Sequence, residues 1–222
     1  MPDRISGTVE IIVVLIDEAD GNAQALADLV SNWVRAVELG FFGPGWIRLQ
    51  GEIATQGRRI TGRLEGKHVP QAAFHVLWRM IRCFSKVKDK VEIFNVSHEG
   101  QPLEATRRVE IPALPQSIPF VVEYPEDLKR YLRVEIEFRA PLAPSERDVI
   151  IHGLFIWDAL VAALAEEEWW GRRSDHESRM LSPAIIEHQV NGYYAGFECL
   201  HFIVWFGLRL HQRLTIERLT ME

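Results

Sequence analysis

Apolar positions along this chain switch from period two to period three-and-a-half in a fixed order, and that order is run through twice. Residues 8–16 (TVEIIVVLI) are dense in β-branched side chains and read as a strand, stopped by the polar run from Asp17 to Gly21. Leu26, Leu29, Val30, Trp33 and Val37 then mark one face of a helix over roughly 22–39, with Gly40 as a left-handed stop. Residues 46–54 and 58–64 predict a hairpin about Gln56-Gly57. Pro70 is placed to open a second helix that buries Phe74, Leu77, Trp78 and Ile81, and residues 90–96 close the unit as a strand.

The second pass begins near Lys129. Leu132, Val134, Ile136 and Phe138 alternate with Arg133, Glu135, Glu137 and Arg139, a strand with one wet face. Ser145 and Asp148 have capping-box spacing, and the helix they open runs to about Trp170. It is apolar on most sides, which predicts burial on two of them. Between Gly171 and Pro183 stands only a polar segment, so the second hairpin is expected to be degraded. A strand over 184–190, a helix over 192–212 and a strand over 214–219 complete the unit.

The two passes share spacing more than identity. Val9-Glu10-Ile11 recurs as Val134-Glu135-Ile136 after 125 residues, Trp33 as Trp157 after 124, and Trp78 as Trp205 after 127. The order β-α-β-β-α-β, met twice, predicts an α+β protein of tandem duplicated ferredoxin-like sandwiches, each an antiparallel sheet with helices on one face. The expected domains are 1–97, a Pro-rich ordered connector over 98–128, and 129–222, with residues 118–124 apolar enough to lie along a sheet edge. The first sheet carries a problem that the second does not. Ile12, Val14 and Ile16 make the second face of the leading strand apolar as well, so that face calls for a cover.

Composition narrows the function classes. The net charge of −6 is not spread evenly: residues 1–97 hold 12 Lys/Arg against 11 Asp/Glu, whereas the connector holds 2 against 6. Neither unit has the basic excess that grips a phosphate backbone, and residues 58–66 lack the paired aromatics that stack bases, so no nucleic acid is expected. The start of the chain lacks the apolar core of a signal peptide. The apolar stretches 149–165 and 195–210 are broken by Asp158, Glu198 and Arg209, so no membrane span is expected and the cytoplasm is the predicted location. Cys83 and Cys199 are too few for a disulfide scaffold and read as buried thiols.

Candidate chemistry gathers in the second half. Glu198 and His201 share a helix face at the Glu-x-x-His spacing of carboxylate-bridged metal sites, though a plain side-chain pair explains them as well. Glu187-His188 lies on the strand before that helix, and alternation lets only one of the two face it. Glu198, His201 and His188 are therefore the candidate catalytic set, and a core histidine is the simpler account of the last. Asp175-His176-Glu177 reads as a solvated polar loop, and Asp158 as an acid at a helix edge with access to solvent. No Gly-rich cradle, nucleophile elbow or strong ligand spacing is present, so no cofactor and no metal are assigned. Trp33, Trp78, Trp157 and Trp205 are expected in cores. Trp46, Trp169 and Trp170, at element ends, are the candidate contact surface. These observations favour a non-catalytic binding or assembly protein with a protein partner or self-association. The alternative is a metal- or small-ligand-binding enzyme or sensor with a Glu/His pocket in the second unit.

Overall fold

The computed structural model describes residues 4–16, 22–43, 48–83, 91–103, 113–127, 131–164, 176–191 and 199–222. These residues form a mixed α+β architecture of two five-stranded sheets and four helices. The chain divides into two compact units, Met1–Glu38 with Gly45–Pro112, and Leu39–Pro44 with Ala113–Glu222.

In the first unit the strands are β1 (Arg4–Leu15), β2 (Arg48–Gln56), β3 (Arg59–Pro70), β4 (Val91–His98) and β5 (Gln101–Pro102). The helices are α1 (Asn22–Glu38) and α2 (Gln71–Cys83). The sheet order is β2-β3-β1-β4-β5, and each described pairing is antiparallel. Gln56 faces Arg59, so the first hairpin turns on Gly57-Arg58, with Gly57 at φ 56°. His98 faces Gln101 across Glu99-Gly100, both at positive φ (49° and 74°), which is the two-residue turn whose twist suits a hairpin. Glu99 also accepts a hydrogen bond from the Thr8 main-chain N–H at 2.6 Å, fixing that hairpin to β1. Ile5, Val9, Ile11, Val13 and Leu15 point toward the helices and are buried.

The second unit holds β6 (Val121–Glu123), β7 (Tyr131–Phe138), α3 (Pro144–Leu164), β8 (His176–Ser182), β9 (Ile185–Asn191), α4 (Leu200–His211) and β10 (Ile216–Met221). Its sheet order is β6-β10-β7-β9-β8, antiparallel except where β6 runs parallel to β10. β1 lies between β3 and β4 as β7 lies between β9 and β10, β2 and β8 lie outside β3 and β9, and the short β5 and β6 flank β4 and β10. No helix among the described residues is long and apolar enough to cross a membrane.

Several sequence expectations are corrected here. The polar segment after Gly171 does not degrade the second hairpin, because it contains β8, paired with β9 from His176 to Ser182. An edge strand needs no apolar face when its polar groups find partners across the ladder: Ser178 meets His188, and Arg179 meets Glu187. The cap of α3 is not Ser145 with Asp148. Pro144 takes the first helical position, and Glu146 reaches back to the Ala143 N–H at 2.7 Å. Asp148 pairs with Arg147 instead, at 3.6 Å.

On α3, expected to be buried on two sides, Val149 and Phe155 are exposed. The enclosed helix is α4. Its Phe206 stacks on Phe41 (centroids 4.8 Å, 13°), its Phe202 meets Phe42 edge-on at 5.4 Å, and Phe120 lies against Gly207. Gly40, at φ 86°, lets the chain leave α1 and turn into this packing, with the stem of Arg209 alongside.

Candidate functional site

The His/carboxylate candidates separate onto the two sides of the second sheet. His188 lies opposite Val134 on the helix side of β9 and is wholly buried. Its Nδ1 is 2.7 Å from the Ser178 hydroxyl, and Phe155 and Trp157 approach the ring at 5.7 and 6.2 Å. Glu187, one residue earlier, points to the other side, yet it too is buried. Its Oε1 accepts bonds from Arg179 Nε at 2.7 Å and Gln189 Nε2 at 2.6 Å, with Arg133 at 3.7 Å from Oε2. The pair was expected to divide into one buried and one solvated residue. Both are enclosed, because two arginines and an amide roof the carboxylate on the sheet's outer face. Arg133 is tied at its far end to Glu222, and that bond raises its guanidinium above the ordinary arginine value.

His201 is half-buried on α4, and Glu198 lies outside the described residues, so the structure does not show the two together. Asp158 is buried rather than at a wet helix edge. Asp175 is outside the described residues; His176 begins β8, and Glu177 is exposed on it. Among the described residues no group of three His, Cys, Asp or Glu side chains is placed to hold a metal ion. Trp46, Trp169 and Trp170 all fall outside the described residues.

The two outer sheet faces differ in chemistry. On the second, charged side chains pair with one another: Arg139 with Glu217 at 3.1 Å, and Arg218 with Glu123 at 3.0 Å and Glu137 at 3.8 Å. A 125-residue offset places Ile12 where Glu137 stands and Val14 where Arg139 stands. On the first sheet Val14 faces Ile93 across the β1–β4 ladder, Ile12 follows on the same side, and Ile16 extends the row. Ile16 is 55% exposed and Ile93 48%, with Ile12 and Val14 half-buried between them. Arg59, Thr61 and Asn95 border the row through their register positions, and Glu10 and Arg63 lie beyond it. The result is an apolar centre with a polar margin. The doubly apolar leading strand pointed to it; Ile93 was hidden because KVEIFNV offers no outward sign of whether Ile93 or its neighbour Phe94 faces out.

The repeated tryptophans carry a further correspondence. Trp33 is fully buried and donates its indole N–H to the Ala73 carbonyl, in the first turn of α2, at 2.8 Å. Trp157, equally buried, donates to the Cys199 carbonyl at the start of α4, at 3.3 Å. Trp205 is buried as expected. Trp78 is not: it is half-buried, and the Arg82 guanidinium lies over its ring at 4.6 Å.

No protein-family model matches the chain, and no curated protein does. Among solved structures the chain is similar to the periplasmic protease PqqL from Escherichia coli, with 10% identity over 94% of this chain and a TM-score of 0.21. It spans 34% of that protein's length, and a likeness at that score carries no argument for fold or function.

Proposed function

We propose that the chain is a non-catalytic binding or assembly protein, a tandem pair of ferredoxin-like units whose first sheet offers its outer face to another protein chain. The scaffold reading is supported by the common strand order of the two sheets and by the matching indole-to-carbonyl bonds of Trp33 and Trp157. The row Ile12, Val14, Ile16 and Ile93 is the observation that carries the functional part. Four adjacent apolar side chains on a sheet face are costly to leave in water, at roughly 25 cal/mol per Å². On the outer face of the second sheet Arg139, Glu217, Arg218, Glu123 and Glu137 are instead paired with one another. A catalytic centre on Glu198, His201 and His188 has less behind it, since Glu198 lies outside the described residues and His188 is enclosed by aromatic rings and engaged with Ser178.

Ile93→Glu tests this reading. Ile93 is half in water, so the substitution is expected to change folding stability by no more than about 0.5 kcal/mol in urea titrations. It is also expected to weaken, at least tenfold, either the concentration-dependent sedimentation of the full chain or its retention of a protein partner. A wild-type chain that stays monomeric at every concentration, binds no hydrophobic dye and retains no protein would overturn the proposal.

A further inference from the structure

The first unit contains a cavity of about 180 Å³ that neither the sheet-face reading nor the Glu/His cluster uses. One wall is a single helical stripe: Gln71, Phe74, His75 and Trp78, at i, i+3, i+4 and i+7 of α2. The other is β4 from Phe94 to Val96, with Leu103 held there by its N–H bond to the Val96 carbonyl at 2.8 Å. Trp78 was expected in the core on its spacing; it is instead the half-buried floor of this space, its indole stacked against Arg82 at 4.6 Å.

We propose that this cavity is a binding site for one neutral planar ring bearing both a hydrogen-bond donor and an acceptor, of the cyclic amide or pyrimidinone class. Size sets the first limit. A cavity of about 150 Å³ is enough for one benzene ring, whereas sites for larger ligands run to roughly 300–1,000 Å³. The walls set the second, since Phe74, Trp78 and Phe94 present aromatic surface that favours an offset or edge-on ring. Charge sets the third. Among the described residues no Asp, Glu, Lys or Arg lines the cavity, and an ion taken from water needs a counter-charge. Polarity sets the fourth: the Gln71 carboxamide offers a donor and an acceptor from one side chain, and the His75 imidazole adds another polar edge. A purely apolar ring would leave the Gln71 carboxamide without an exchange for its water.

The test uses the full chain and three probes of one-ring size, followed by isothermal titration and by ligand-detected NMR. The probes are 2-pyridone (neutral, donor and acceptor), benzene (neutral, apolar) and benzoate (charged). The expected result is saturable binding of 2-pyridone with a dissociation constant below about 1 mM, at least tenfold tighter than benzene or benzoate. Trp78→Ala should weaken 2-pyridone at least tenfold. Because that change opens a half-buried position, Gln71→Leu on the first turn of α2 serves as the second variant. It should keep the wild-type melting temperature, lose tenfold or more toward 2-pyridone, and leave benzene unchanged. No saturable binding of 2-pyridone, equal binding of all three probes, or 2-pyridone binding that survives Gln71→Leu would each overturn the proposal.

Discussion

Replacing Trp33 with alanine is expected to remove about 3–5 kcal/mol of folding stability, the largest loss from any single truncation in the first unit. The side chain has no exposure, its ring lies 5.2 Å from Phe74, and its indole N–H satisfies the Ala73 carbonyl. Truncation therefore opens a cavity between α1 and α2 and also breaks a buried bond. Trp33→Phe separates the two effects. It keeps most of the apolar volume but loses the donor, so a loss of about 1–2 kcal/mol is expected, from the bond and the smaller ring together. Denaturant midpoints followed by circular dichroism measure both. If Trp33→Ala costs less than about 1 kcal/mol, the indole is not the packing centre described here.

Gly153→Val is the second large effect, expected to cost about 3 kcal/mol, the upper end of what overpacking usually costs. A Cβ at residue 153 of α3 would overlap the Phe206 ring of α4. That ring has no free side to move to, since Phe41 is stacked on it and both phenylalanines are fully buried. Valine adds two further methyl groups to the clash. Glycine is thus retained inside a helix although alanine would favour the helix by roughly 0.8–1.0 kcal/mol in a solvent-exposed position. Gly153→Ala should still destabilise, and Phe206→Leu in the same chain should recover part of the loss. Additivity of the two changes in a double-mutant cycle would contradict direct contact between the positions.

How much of this was legible in the sequence depends on how local each signal is. The strands, the helix faces of α1 and α2 and the register of the two passes come from periodicity, which is a property of consecutive residues. The φ of Gly40 followed from helix-stop chemistry alone. What was missed depends on partners far along the chain. Phe41 and Phe42, a pair of aromatic residues beside glycines at a helix end, belong to the core of the second unit through Phe206 and Phe202, and nothing adjacent in sequence announces it. β8 carries no apolar alternation because its polar side chains are satisfied by His188 and Glu187 on the next strand. α3 and α4 look equally apolar by composition. In the fold Phe41, Phe42 and Phe120 pack on α4, whereas Val149 and Phe155 of α3 face water. Trp78 shares the helical phase of core residues yet borders a cavity, since phase gives direction and not the depth of what lies opposite.

The candidate site shows the same division. Alternation along β9 correctly allows only one of Glu187 and His188 on the helix side, and it is His188. It does not foresee that the outward carboxylate is buried as well, because its cover comes from Arg133 and Arg179 on neighbouring strands. The apolar outer face of β1 was visible in TVEIIVVLI, while its extension to Ile93 needed the antiparallel register with β4.

On the proposed function, the first sheet's outer face meets another protein and the second sheet's does not. A photo-crosslinking residue placed at Ile93, and separately at Arg218 on the outer face of the second sheet, tests it most directly when the full chain is irradiated in its native extract. Position 93 should give a discrete crosslinked product, its mass identifying either a second copy or a distinct partner, and position 218 none. No product from position 93, or equal products from both positions, would contradict it.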